Sequence, residues 1–310
     1  MIFNFCTYFD SNYLYRGLAL FFSLKDTRIK FKLWILCFDD ETYELIKQIN
    51  FKEIELISIN DFEKYNPKYF EIKSTRSKVE YYWTSTPLLP KYILSKNQKL
   101  DHITYLDADL LFFNNPSVIF NELANKSVYI IPHRFNVKIK EKSENDAGKF
   151  NVGLILFRND SNTEKCLDWW SDRCIEWCYD RIEGDKCGDQ KYLDKFPELF
   201  QGVEISENIG VGIGEWNLEN YELTWINDEL IIEKNKLVVF HFNCTDLIQP
   251  NILITNQKYK YNKIYKKYST LIRKSINIIN DLNPDFNKGL SEVSKLRILY
   301  NLLRKRIYYF

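Results

Sequence analysis

Nowhere in its 310 residues does the chain hold a run of about 18 uncharged apolar residues, so the sequence predicts no membrane-spanning helix. Its start, Met1-Ile-Phe-Asn-Phe-Cys, lacks the basic region, apolar core and small-residue cleavage site of a secretory leader and reads as an opening strand. No segment repeats at a solenoid period, and none is of low complexity. Paired Cys-x-x-Cys spacing is missing from the cluster Cys166, Cys174, Cys178 and Cys187. These are therefore expected to be small buried groups rather than zinc ligands, and seven cysteines, an odd number, suit reduced thiols in a cytosol. Net charge is also nearly absent, at +1, but unevenly so. From Lys258 to Phe310 thirteen Lys/Arg face three Asp/Glu, which leaves residues 1–257 with 30 basic against 39 acidic side chains. Aromatics, in contrast, are plentiful (22 Phe, 21 Tyr, 7 Trp), which excludes disordered and fibrous classes. The length allows one large domain, or one with an appendage.

The most informative stretch is Ile103-Thr104-Tyr105-Leu106-Asp107-Ala108-Asp109-Leu110-Leu111-Phe112-Phe113. It predicts a buried strand whose end delivers two carboxylates into a crevice. Burying two anions together costs several kcal/mol unless a cation compensates. Carboxylate oxygens suit Mg²⁺ or Mn²⁺, ions that commonly keep a substrate diphosphate as further ligands. Asp-x-Asp alone is a weak signal among 42 acidic residues; its place at the end of an apolar strand singles it out.

Residues 2–8 alternate as a strand, and Asp10-Ser11-Asn12 offers cap chemistry for a helix through Leu24. The carboxyl end of a first strand borders the ligand crevice of an open α/β sheet, so Thr7, Asp10 and Tyr13 are candidates to meet a base or ribose. Asp10 is equally a candidate for a plain helix cap, and the two roles are compatible. Strands at 31–38 and 54–57 flank a helix that opens at Asp39-Asp40-Glu41, predicting an α/β fold with a mainly parallel sheet between helices. In 74–94, Pro87 and Pro90 are expected to bend or interrupt any helix. Arg76 and Lys78, just before, are either cations for a diphosphate or ordinary surface charges. Val128–Pro132 is a further strand, and 138–149 an exposed, charged loop able to fold over a substrate.

Asn151 and Gly153 interrupt a strand over 150–157, a sign of close ligand approach or of a bulge. Residues 167–179 read as a helix with Trp169, Trp170 and Trp177 in the core, and Asp189 as the cap of a short helix. The strand 237–242 carries His241, a satisfied core histidine or, in a chain with three His, a third metal ligand. From Tyr259 the pattern is helical, broken at Asn283-Pro284. Residues 291–310 carry Leu296, Leu299, Leu302, Leu303 and Ile307 among Lys and Arg, and either pack on the body or lie on an anionic membrane surface.

With Asp107-x-Asp109, Phe150-Asn151-x-Gly153, Asp189-Gln190 and His241 in that order, residues 1–245 resemble a GT-A-fold glycosyltransferase. The resemblance is to the retaining family-eight group, which includes glycogenin and bacterial lipopolysaccharide galactosyl- and glucosyltransferases. It implies a GT-A catalytic domain over 1–257 with a basic helical extension over 258–310. It implies that Asp107, Asp109 and His241 bind Mn²⁺ or Mg²⁺ on a UDP-sugar, and that Thr7, Asp10 and Tyr13 hold the uridine. Asn151, Asp189 and Gln190 would line the sugar pocket, with Asp189 and Gln190 nearest the reacting face; Ala108 and Gly153 count with the donor-binding residues. The acceptor would be a glycan or glycolipid, the setting bacterial cell-surface glycan synthesis, in the cytoplasm or on the inner face of the membrane, with no nucleic acid involved. There is one departure. The family usually has a Gly three residues and a diphosphate-gripping Lys six residues after the His, where this chain has Cys244 and Leu247. Arg76, Lys78 or Lys258 are the candidate replacements.

On this reading the acceptor hydroxyl is held against the anomeric carbon with water excluded, and retention arises through a carboxylate adduct on Asp189 or by same-face attack. Glu80 and Glu215 are outside candidates for an acceptor-side base. A sugar-nucleotide-forming nucleotidyltransferase would carry a Gly-rich basic loop after its first strand, where residues 8–17 hold one Gly and one Arg. A phosphohydrolase would carry Asp-x-Asp on its first strand. A non-catalytic nucleotide-sugar or membrane-binding protein on the same scaffold is the remaining alternative.

Overall fold

The computed structural model describes residues 2–227, 229–257 and 261–309. Alternating side chains along Phe3–Phe9 (β1) send Phe3, Phe5 and Phe9 into one hydrophobic cluster and Cys6 into a second on the opposite face. β1 pairs in parallel with Phe31–Cys37 (β2) and with His102–Leu106 (β4), and β2 pairs in parallel with Ile54–Ser58 (β3). Beyond β4 the direction changes. Phe150–Arg158 (β7) runs antiparallel to both β4 and Val128–Pro132 (β6), and Val203–Ile205 forms the edge, parallel to β6. The result is a seven-stranded, mostly parallel mixed sheet in the order 203–205, β6, β7, β4, β1, β2, β3.

The reversal of β7 brings two distant segments to one end of the sheet. Its first residues lie beside the last residues of β4, with Leu154 opposite Leu106, and the Asp107 amide donates to the Gly153 carbonyl at 2.8 Å. Leu14–Asp26 and Asn262–Leu282 cover one face of the sheet, while Lys78–Lys96 and Ser161–Glu176 cover the other. The helix Asn262–Leu282 buries Ile264, Tyr265, Tyr268, Leu271, Ile272, Ile276 and Ile279, the three- and four-residue spacing of an amphipathic helix seated on a core.

Three local expectations are corrected. Pro87 and Pro90 do not interrupt a helix: Lys78–Lys96 is continuous, opened by a capping box between Ser77 and Glu80. An interior proline costs about 3 kcal/mol. Here the buried Leu88, Leu89 and Ile93 pack the same helix into the second core cluster and offset that cost. Residues 138–149 are not a loop but hold the exposed helix Lys140–Ala147, supported by a Lys140–Glu144 pair one turn apart at 3.8 Å. The tail is not helical to its end. Lys295–Leu303 is a helix, but Ile307–Tyr309 is a strand antiparallel to Ile252–Ile254, because Ile307 and Tyr308 are buried there. Cys166, Cys174 and Cys178 are buried free thiols, and Trp170 and Trp177 are buried with Trp169 packed alongside.

Candidate active site

The chain leaves β4 at Asp107, passes Ala108 and Asp109, and enters a short strand, Leu110–Phe112 (β5). β5 pairs antiparallel with Val239–His241, so that His241 lies opposite Leu110, and the Phe242 amide donates to the Asp109 carbonyl at 3.0 Å. This second small sheet brings together residues more than 130 positions apart. His241 Nε2 stands 3.0 Å from Asp109 Oδ1 and 3.6 Å from Asp107 Oδ2, and one ligand atom from each of the three residues lies within 4.8 Å of the others. Tyr105, two residues before Asp107 on the same strand face, donates its hydroxyl to Asp107 Oδ1 at 2.7 Å. Gly153 makes the approach feasible. A Cβ there would come within 2.7 Å of Asn151 Oδ1 and 2.8 Å of His241 Cε1.

Burial, with the charge of Asp109, raises the Asp107 carboxyl above its ordinary range, against the pull of His241. Burial also pushes Asp109 up, but the charge and hydrogen bond of His241 and the charge of Arg16 outweigh it, and Asp109 lies below the ordinary range. At His241 burial lowers the pKa, and the two carboxylates more than reverse this. Two carboxylates and one imidazole thus leave a net negative charge at half-buried and buried positions, which a hard divalent cation would neutralise. The donor set fits such an ion, with Nε2 of His241 as the nitrogen turned toward the carboxylates. Nδ1 is buried without a partner.

Next to this group lies a cavity of about 380 Å³. Tyr8, Asp10, Asn12, Tyr13, Tyr82 and Trp83 line it together with Asp107, Ala108 and Asp109. Asp10 does cap the chain, accepting from the Asn12 amide at 3.0 Å, and it also takes the Tyr82 hydroxyl at 3.2 Å and the Lys78 ammonium at 2.5 Å. Tyr13 is 42% exposed, and its ring stands at the cavity rim. Thr7 is fully buried in β1 and is not part of the lining. Nor is Arg76, whose guanidinium stacks 3.9 Å from the Tyr179 ring and donates to the Ile175 carbonyl at 3.1 Å.

On the other side of the triad, Asn151 Nδ2 reaches Gln190 Oε1 and His133 Nε2, both at 3.3 Å, and Gln190 Nε2 donates to the Ala147 carbonyl at 3.0 Å. Burial lowers His133 to about 4 and so keeps it neutral; its Nδ1 donates to the Gly148 carbonyl at 2.9 Å and its Nε2 accepts from Asn151. These bonds anchor the end of the helix Lys140–Ala147, so this end is held rather than free to fold over. Asp189 follows a different course. Its side chain makes no cap bond, one carboxylate oxygen is buried without a partner, and burial together with Asp107 raises the group to about 7.

Glu80 is spent on its capping box and on the Asp180 amide, and Glu215 accepts from Thr245, Tyr265 and the Asn256 amide, so neither is poised as a base. Leu247 is buried at 1% exposure on the strand Asp246–Gln249, and Lys258 lies outside the described residues. The sequence reading missed Tyr105, Asn12, Tyr82, Trp83 and His133. Only Tyr105 carried a signal, its two-residue spacing from Asp107; the others converge from separate elements.

The model of Glycosyl transferase family 8 matches residues 4–208, which contain the Asp107/Asp109 strand, Asn151, Gly153 and Asp189-Gln190. Two uncharacterised proteins of Bacillus subtilis (strain 168) are similar along nearly the whole chain. YfnF is 30% identical over 294 residues, covering 91% of this chain and 96% of its own, and YfnD is 27% identical over 295 residues, covering 93% and 94%. Among solved structures, the galactosyltransferase LgtC in complex with donor and acceptor sugar analogs superposes with a TM-score of 0.58 at 13% identity, over 96% of this chain and 98% of its own. The glycosyltransferase GlyE of Streptococcus pneumoniae TIGR4 gives 0.51 at 17% identity, over 95% and 67%. The likeness to these structures bears on the fold alone. Taken with the family match, it makes the chain a GT-A-fold enzyme of glycosyl transferase family 8, which moves sugars from nucleotide-sugar donors.

Proposed function

We propose that the protein transfers a hexose from a UDP-sugar, held through Mn²⁺ or Mg²⁺, to a hydroxyl of a glycan or glycolipid, with retention at the anomeric carbon. The observation that carries this reading is the convergence of Asp107, Asp109 and His241 beside the cavity lined by Asp10, Asn12 and Tyr13. Asp107, Asp109 and His241 would hold a divalent cation, which would supply positive charge to the diphosphate leaving group. The Tyr13 ring offers an apolar face to a base, and Asp10 and Asn12 offer hydrogen bonds to the base or ribose. Asn151 and Gln190, locked by their mutual bond, would present a rigid polar wall to the sugar. Asp189 has a carboxylate oxygen unpartnered beside them, available to stabilise a developing oxocarbenium ion or to form an adduct. In this scheme residues 1–257 are the catalytic domain and 258–310 its C-terminal extension.

The test is nucleotide release from UDP-, GDP- and dTDP-sugars with and without Mn²⁺, together with the anomeric configuration of the product. Metal-dependent release of UDP with retained configuration supports the reading; release that ignores the metal, or a preference for another nucleotide, overturns it.

A second element concerns where the enzyme works. Leu296, Leu299, Tyr300 and Leu303 form an exposed stripe on the helix Lys295–Leu303, with Leu296 at 80% and Leu303 at 78% exposure, flanked by Lys295, Arg304 and Lys305. That combination suits the face of an anionic bilayer, which would bring the enzyme to a lipid-linked acceptor at the inner membrane surface. No described helix is long and apolar enough to cross a membrane. Changing Leu296 and Leu303 together to Ser should release the protein from phosphatidylglycerol-containing vesicles in a sedimentation assay, and unchanged co-sedimentation would remove the proposal.

A further inference from the structure

A second concavity of about 400 Å³ adjoins the first, with Asn12 and Tyr13 in the wall that both share. At its base is Arg16, on the helix Leu14–Asp26. The residue is only 6% exposed, yet among the described residues no carboxylate lies within the 4.0 Å of an ion pair. Its guanidinium donates to the Thr245 carbonyl at 3.3 Å and lies 4.7 Å from the Tyr13 ring. Burial disfavours its charge, but the neighbouring Tyr268, Tyr13, Asp109 and Asp246 outweigh burial and hold the guanidinium charged, and a planar guanidinium is shaped to take two phosphate oxygens at once. Its charge already reaches Asp109. The cavity is therefore a neighbour of the metal group, sharing Asn12 and Tyr13 with the cavity that Asp107 and Asp109 line.

The outer wall comes from the C-terminal extension. Gly289, Leu290, Ser291 and Arg297 border the cavity, and Arg297 is ion-paired with Asp246, which lines it too. Two arginines against one aspartate leave the cavity positive. The backbone amide of Ser291 ties this part of the extension to the Leu247 carbonyl at 2.6 Å.

Resting on the assignment of a nucleotide-sugar donor, we infer that Arg16, screened by the C-terminal wall that carries Arg297, is the protein's own cation for the donor diphosphate, acting beside the Asp107, Asp109 and His241 group. The ligand chemistry is that of a diphosphate, esterified at both ends in the donor and at one end in the nucleotide that leaves. The sequence departure at Cys244 and Leu247 then has a structural counterpart: the positive charge stands on the first helix, against the same loop, through Thr245. The extension, on this account, is part of the donor site and not only a docking element.

The experiment is calorimetric titration of the full-length chain, in Mn²⁺, with UDP, with uridine and with inorganic pyrophosphate. Arg16→Gln is expected to weaken UDP and pyrophosphate about 10- to 100-fold and to leave uridine unchanged, with Arg16→Lys recovering part of the loss. Equal UDP binding by wild type and Arg16→Gln overturns the inference and leaves the donor assignment standing. Pyrophosphate binding that depends on Arg16, in a wild type that ignores UDP, supports the inference and removes the nucleotide from the assignment. Absence of binding by wild type to either anion overturns both. If Arg16→Gln does not fold, Arg297→Gln, at the exposed rim, carries the test: a loss of about threefold for pyrophosphate is expected, and no change overturns the inference.

Discussion

Two polar groups meet at one end of the central sheet and accommodate burial in opposite ways. At Asp107, Asp109 and His241 charge answers charge, and a net negative balance remains. Asn151, His133 and Gln190 are joined by neutral hydrogen bonds, closed on the carbonyls of Ala147 and Gly148. The first group is electrostatically incomplete and calls for a cation; the second is self-contained and can hold its shape without one. Asp189 is tied into neither, and burial together with the charge of Asp107 raises its carboxyl to about 7.

The sharpest way to break the contrast is Asp109→Ala. It should lower metal-dependent turnover by roughly 10³-fold or more while the circular dichroism spectrum stays that of the wild type. Turnover near wild type would take the metal group out of the mechanism. Asp189→Asn probes the residue tied into neither group. Its folded-state pKa is raised, from 3.8 to about 7, so the cost of ionising it is absent near pH 4, grows as pH rises, and is fully present above 7. In the metal-free protein the Asn variant should therefore match wild type at pH 4 and exceed it by up to about 4 kcal/mol at pH 8, measured by urea unfolding. Equal stability at both pH values would mean that Asp189 is not held in the way described.

Gly153→Ala couples the two groups, because the added methyl meets both Asn151 and His241. Mn²⁺ affinity should fall about 10- to 100-fold in a fluorescence titration, while Asp107 and Asp109 remain in place. The smallest effect belongs to Glu80→Ala. Loss of the capping box should cost about 1 kcal/mol of stability and leave turnover unchanged, separating this carboxylate from the chemistry. A large fall in turnover there would reinstate it as a base.

Much of the sheet was legible because its strands carry strong local signals. The alternation in Phe3–Phe9, the Asp39 cap before Asp40–Ile49 and the apolar run into Asp107 are each decided within a few residues. Where tertiary packing outweighs local preference the reading failed. Burial of Leu88, Leu89 and Ile93 carries a helix through two prolines, and a partner strand at Ile252–Ile254 turns Ile307–Tyr309 from helix to strand. At the site the sequence could nominate Asp107, Asp109 and His241 by residue type, but it also nominated Arg76 and Thr7, which the fold turns elsewhere.

By itself, then, the order of residues determined the kind of sheet and which side chains were chemically able to hold a cation, since both depend on local periodicity and functional groups. Only the tertiary structure decided which of those groups meet. The pairing of β5 with Val239–His241 and the reversal of β7 bring distant positions into one crevice, and distance in space, not along the chain, sets the charge balance there.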